Sequence, residues 1–247
     1  LHCVTRRQRQ MCIRDRLAQR YSNEGADELV FLDISATQEK RKTLVKLVQR
    51  IAEVITIPFT VGGGIKSVEE IETLLKAGAD KVSLNSSIIQ RPELITEASQ
   101  AFGAQAIVAA IDMKRVERWT EENPKWVVYT HGGIKRTDIN ALEWAKDTES
   151  LGAGELLVTS MDRDGTKSGF DCKLLSVIHQ CTNIPLIASG GAGTISHCID
   201  AIKKGKADAV LAASIFHFRE IKISELKLQM HKAGIPVSYT HLTLPTS

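Results

Sequence analysis

The stretch "FTVGGGIKSVEEIETLLKAGADKVSLNS", Phe59 to Ser86, has a near twin in "LIASGGAGTISHCIDAIKKGKADAVLAAS", Leu186 to Ser214. Each reads as an apolar strand, a glycine run, an amphipathic helix, a Gly/Ala/Asp turn, and a second apolar strand that ends in small polar residues. Pro58–Ile65 aligns with Pro185–Ala192 at an offset of 127, and Glu28 with Glu155 at the same offset. After one inserted residue, Asp80 aligns with Asp208 and Ser86 with Ser214 at an offset of 128. A repeat this long spans several βα units, so it marks a duplicated half-barrel and not a solenoid.

Outward from the twins, strand and helix patterns alternate. Strands are expected at 28–34, 58–65, 81–86, 106–112, 155–162, 185–191 and 209–216. Leu44, Leu47, Val48 and Ile51 define the buried face of one intervening helix. Val68, Ile71, Leu74 and Leu75 define another, which Gly78 ends. Continuous apolar strands between amphipathic helices imply a parallel sheet covered on both faces. Two halves of four βα units make a (β/α)8 TIM barrel. The competing open doubly wound sheet, in its dinucleotide-binding form, needs a GxGxxG after an early strand, and none is present. The second half supplies four strands and the first only three, so the first βα unit is expected to be incomplete or missing. The patterned body, Leu17 to Val237, is also shorter than the roughly 250 residues of a complete barrel.

Composition narrows the class of function. The formal charge of +3 is concentrated in residues 1–16, "LHCVTRRQRQMCIRDR", with five Arg and one Asp. The remainder carries no basic surplus of the kind nucleic-acid binding demands. Residues 1–16 and 238–247 lack periodicity and are read as foreign or disordered, leaving 17–237 as the barrel domain. No apolar run approaches the ~20 residues of a membrane span. Five cysteines without CxxC spacing fit a reducing, cytoplasmic setting. The histidines have no metal-ligand spacing, and no cofactor or metal is expected. His131 falls in the long loop after the strand at 106–112, with a surface or packing role.

Barrels of this class bind ligands at the C-terminal ends of their strands, often a phosphate on backbone N–H groups. Glycine lets that backbone approach the oxygens. Gly190 and Gly191 with Ala213 and Ser214 form one expected cradle. Gly63 and Gly64 with Asn85 and Ser86 form the other, so the expected ligand carries two phosphate ends. Asp112 closes the strand "AIVAAID" at the catalytic end and shares a face with Val108 and Ala110. It is the candidate general acid or base. Thr159 points inward near the top of its strand. Asp33 and Asp162 face away from Glu28 and Glu155 and are read as organising their loops. Glu28, Lys81 and Glu155 begin alternate strands, where their charges would ring the opposite end.

The stretches "DELVFLDI", "PFTVGGGI", "GADKVSLNS", "AIDMKR", "SMDRDGTKSG", "IASGGAG" and "LAASIFHFRE" together resemble the cyclase subunit of imidazole glycerol phosphate synthase. The likeness covers nearly all of 17–237. It implies an ammonia-dependent lyase of histidine biosynthesis in a heterodimer with a glutaminase. Ammonia joins a ribulosyl formamidine bisphosphate, and the product splits into imidazole glycerol phosphate and an aminoimidazole carboxamide ribotide. It also makes "DRDGTKSG" a mobile substrate loop, with Asp164 and Gly165 nearest the ligand, and makes Glu28, Lys81 and Glu155 an ammonia gate. In that family a second catalytic Asp ends the first strand, a Lys follows it, and an Arg of that strand joins the gate. No residue before Leu17, Asp15 included, has a matching context, so the chain is expected to be nearly inactive. Two other readings stay open: the sister phosphoribosylformimino isomerase, and a non-catalytic barrel that only binds phosphate or the glutaminase.

Overall fold

A computed structural model describes residues 16–32, 38–116 and 125–238, with the side chains of 38–43 left aside. The expectations for residues 1–15 and 239–247, and for Asp33, lie outside the described residues. In chain order the elements are α1 (16–23), β1 (Leu29–Leu32), α2 (Gln38–Ala52), β2 (Phe59–Gly62), α3 (Val68–Lys76), β3 (Lys81–Leu84), α4 (Ser86–Gln90) and α5 (Glu93–Phe102). They continue with β4 (Ile107–Arg115), β5 (Trp126–Thr130), β6 (Lys135–Asn140), α6 (Ala141–Ser150), β7 (Glu155–Ser160), α7 (Cys172–Cys181), β8 (Leu186–Ser189), α8 (Ile195–Lys203), β9 (Ala209–Val210), α9 (Ser214–His217) and α10 (Ile223–Lys232). The chain divides into two compact units, Leu1–Val82 with Val237–Ser247, and Ser83–Pro236.

In the first unit β1 and β2 run parallel, with Leu29 opposite Phe59 and Leu32 opposite Gly62. The face of α2 is as the periodicity requires, with Leu44, Leu47, Val48 and Ile51 all buried; on α3 Ile71 and Leu74 are buried, while Val68 and Leu75, read as part of the same face, are only half-buried. Ser67 caps α3 by accepting from the Glu70 N–H, and Glu70 accepts in turn from the Lys66 N–H. Acidic residues at the start of α3 and Lys76 at its end suit the helix dipole.

The second unit repeats this wiring. The Asp80 carboxylate accepts from the Phe59 N–H at 2.8 Å, and Asp208 accepts from the Leu186 N–H at 2.8 Å. Leu29 N–H donates to Pro58 O, and Leu156 N–H donates to Pro185 O. Thr194 caps α8 as Ser67 caps α3. Each pair is related by the 127 or 128 offset, so the duplication extends to individual hydrogen bonds. Here β4, β7, β8 and β9 are parallel neighbours in that order.

Three features differ from the sequence reading. The stretch read as a long loop after β4 contains an antiparallel hairpin, β5 and β6, paired onto the end of β4. Trp126 and Val128 are buried on one side of β5, a period-2 pattern that the polar β6 obscures. Several strands are shorter than their apolar runs, with four residues in β2 and β8 and two in β9, whereas β4 runs on to Arg115, three residues past Asp112, which the sequence reading placed at its close. Finally, Ser86 and Ser214 do not extend strands but open the short helices α4 and α9.

Candidate active site

Asp112 lies in the middle of the nine-residue β4 and is only 9% exposed. Its Oδ2 accepts from the Asn85 amide at 3.2 Å. The hairpin turn brings the Gly133 N–H to the same carboxylate. Burial pushes the Asp112 pKa up, and the charge of Asp164 adds to that, while the Asn85 and Gly133 donors oppose it. The net direction is upward, so this carboxyl holds a proton more readily than an exposed aspartate.

Strand register extends the site. Asp112 on β4 is paired with Thr159 on β7, and Thr159 with Ser189 on β8. In-register residues of parallel strands share a face, so the three form one row near the C-terminal strand ends. Thr159 was expected there; Ser189 was not, because nothing in "LIASGG" singles it out from its neighbours.

The loop after β7 is built from turns. Asp164 N–H donates to Ser160 O, and Thr166 N–H to Arg163 O. The Thr166 hydroxyl donates to Arg163 O, and Arg163 Nη1 to the Ser168 hydroxyl. Gly165 has φ +73°, which favours glycine. Asp162 organises the loop as expected: its carboxylate accepts from the Arg115 N–H at 2.9 Å. Lys167 reaches across to Glu220 with both carboxylate oxygens within 2.7 Å.

Gly190 and Gly191 follow β8 with φ of +85° and +109°. A Cβ on Gly190 would lie 2.8 Å from Ser160 O and 3.4 Å from the Asp164 Cα. One on Gly191 would lie 2.2 Å from Gly169 O. These glycines therefore serve the packing of the segment between β7 and α7. Ala213 and Ser214 follow β9, the parallel neighbour of β8, and leave from the same end. Gly63 and Gly64, in the first unit, have φ of +108° and +65°. Open space faces the Gly64 Cβ position.

Sequence reasoning missed the role of the hairpin turn. His131, at φ +57°, donates its N–H to the Ser86 hydroxyl at 2.9 Å, and its Nδ1 is 3.0 Å from the Thr130 hydroxyl. "WVVYTHGGIKRTD" did carry a signal: a short run of β-branched and aromatic residues, then Gly-Gly, the composition of a strand leading into a hairpin turn. At the other strand ends, Lys81 pairs with Glu28 at 2.9 Å, and the Thr60 hydroxyl donates to the same carboxylate. Glu155 opens β7 and is partly buried. Among the described residues, no group of three or more His, Cys, Asp or Glu is placed to hold a metal ion, and no helix is long and apolar enough to cross a membrane.

Comparison with known proteins agrees with this geometry. The family model described as "Histidine biosynthesis protein" matches residues 7–222. The imidazole glycerol phosphate synthase subunit HisF of Flavobacterium johnsoniae is 55% identical over 221 residues, covering 90% of this chain and 86% of that protein. The chain belongs to the HisF family of imidazole glycerol phosphate synthase subunits. The HisF proteins of Flavobacterium psychrophilum and Bacillus licheniformis are 55% and 52% identical, with the same coverage. Family membership fixes the fold class as the (β/α)8 barrel and the enzyme class as the cyclase subunit of histidine biosynthesis.

Proposed function

We propose that this HisF-family chain joins ammonia to a ribulosyl formamidine bisphosphate and releases imidazole glycerol phosphate and an aminoimidazole carboxamide ribotide. Asp112 is the proton-transfer group. The observation that carries this reading is a single carboxyl at a strand's C-terminal half, buried, held by Asn85 and Gly133, and raised in pKa beside Asp164. Proton transfer at a carbonyl, an imine and a leaving amine needs a group that can both hold and release a proton near neutral pH. A carboxyl with a raised pKa is closer to that requirement than an ordinary one.

In this assignment Gly190, Gly191, Ala213 and Ser214 hold one phosphate, with Asp164 and Gly165 on the loop beside them. Gly63 and Gly64, in the first unit, are assigned to the second phosphate. Thr159 contacts the substrate between its ends. A glutaminase partner supplies the ammonia, and the Glu28–Lys81 pair belongs to its entry route. The Lys81–Glu28 pair, 2.9 Å long and partly buried at the N-terminal ends of their strands, supports that role as the charged group it needs.

The test is turnover of the ribulosyl substrate with ammonium salt as nitrogen source. Turnover that requires ammonium, and that Asp112→Asn removes while bisphosphate binding remains, supports the assignment. Turnover without ammonium marks the sister isomerase. Binding without turnover in the parent chain marks a non-catalytic barrel.

A further inference from the structure

Arg115 ends β4, three residues beyond Asp112, and holds both ends of the loop between β7 and α7. At one end its N–H donates to Asp162 at 2.9 Å. At the other, its Nε and Nη2 donate to the same Oδ2 of Asp171, at 3.2 and 2.9 Å. The Asp171 side chain is 2% exposed, and its Oδ1 accepts from the Leu174 N–H as the cap of α7. A carboxylate so deeply buried needs a compensating charge, and Arg115 supplies it. Between these anchors lie Asp164, Gly165 and the Gly169 N–H, which donates to Gly191 O at 2.8 Å. The adjoining Met161 N–H donates to Met113 O, so the strand that carries Asp112 also seats the root of the loop.

We infer that Arg115 is a positioning residue, which fixes the loop 162–171 in register with Asp112 and with the Gly190–Gly191 turn and so sets the affinity of that turn for phosphate. The backbone N–H secures Asp162 whatever the side chain, so the side chain's own contribution is the Asp171 end. Lysine can replace the charge but offers one ammonium where arginine offers two N–H groups to Asp171. The phosphate half of this inference rests on the reading of Gly190 and Gly191 as a phosphate cradle; the anchoring half does not.

Hydrogen exchange on the full chain tests the two halves separately, with Arg115→Met, Arg115→Lys and the parent compared without and with inorganic phosphate. Without phosphate, amides of 163–169 should exchange about tenfold faster in Arg115→Met and by an intermediate factor in Arg115→Lys, with β7, β8 and α8 unchanged. Unchanged loop exchange, or acceleration spread evenly over Ser83–Pro236, would overturn the anchoring. If Arg115→Met does not fold, Arg115→Lys decides alone: faster exchange confined to the loop supports the inference, and any other pattern refutes it. With phosphate, the parent should gain protection at 163–169 and 190–193, Arg115→Met should need about tenfold more phosphate for it, and Arg115→Lys should recover part of the loss. Equal phosphate requirements in all three would refute the positioning role. No phosphate protection in the parent would instead refute the cradle assignment, with the anchoring still judged from the phosphate-free data.

Discussion

The two glycine runs, Gly63–Gly64 and Gly190–Gly191, come from one ancestral pattern and share left-handed backbone angles, yet their surroundings differ. Beside Gly64 there is open space, and a cavity of about 190 Å³ lies along Gly63, Gly64 and Ile65 in the first unit. Beside Gly191 the backbone of Gly169 leaves no room for a methyl group. At Gly64 glycine is required by conformation alone. In the second run it is required by conformation and by close approach of another loop. The second unit has kept the shared βα wiring and added the machinery of the site: a longer strand for Asp112, a hairpin that donates to it, and an anchored loop.

The largest expected effect tests whether the chemistry belongs to that second unit. Asp112→Asn should lower ammonium-dependent turnover about 10²–10⁴-fold, the usual range for losing a general acid or base. Steady-state assays beside calorimetric bisphosphate binding check it; a loss of less than threefold would move the chemistry elsewhere.

The next effect addresses the glycines directly. Gly191→Ala should destabilise the chain by about 3 kcal/mol, from left-handed strain together with the backbone clash. Gly64→Ala should cost about 1 kcal/mol, from strain alone. Urea unfolding of the two variants measures the difference, and equal costs would erase the contrast between the runs.

Where the two units share geometry, they should share energetics. Asp80→Ala and Asp208→Ala each remove one carboxylate acceptor from a strand N–H and should cost about 1–2 kcal/mol apiece. Costs that diverge by more than about 1 kcal/mol would show that the repeated hydrogen bond is not an equivalent element in both units.

The smallest effect concerns pH. Because the folded pKa of Asp112 lies above its ordinary 3.8, the folded chain binds this proton more tightly than the unfolded chain. The stability that Asp112 contributes is therefore fully present below the unfolded value and is lost as pH rises through the folded value. Asn does not titrate, so Asp112→Asn should gain thermal stability relative to the parent as pH rises from the ordinary value through the raised folded one. A melting-temperature difference that is flat with pH would remove burial as the dominant influence on this group.

Much of this was legible in the sequence because its causes are local or periodic. Leu47, Val48 and Ile51 had to share a helix face, and Asp112 had to end up near the top of an apolar strand. The repeat offset also anticipated the matched carboxylates Asp80 and Asp208. Contacts without a periodic signal were not legible. Arg115 and Asp171 are 56 residues apart and meet only because β4 and the start of α7 converge. The hairpin was hidden by its outer strand, where Lys135, Arg136 and Asp138 are exposed and the apolar run of β5 has no counterpart.

That outer strand has a consequence for association between molecules. Among the described residues β6 pairs only with β5, so its far edge presents backbone donors and acceptors that a second chain could extend into a continuous sheet. Lys135, Arg136 and Asp138 are exposed along it. Edge-to-edge docking of two copies would have to strip water from these charges, so the residues that hid the strand from pattern reading also guard it against polymerisation.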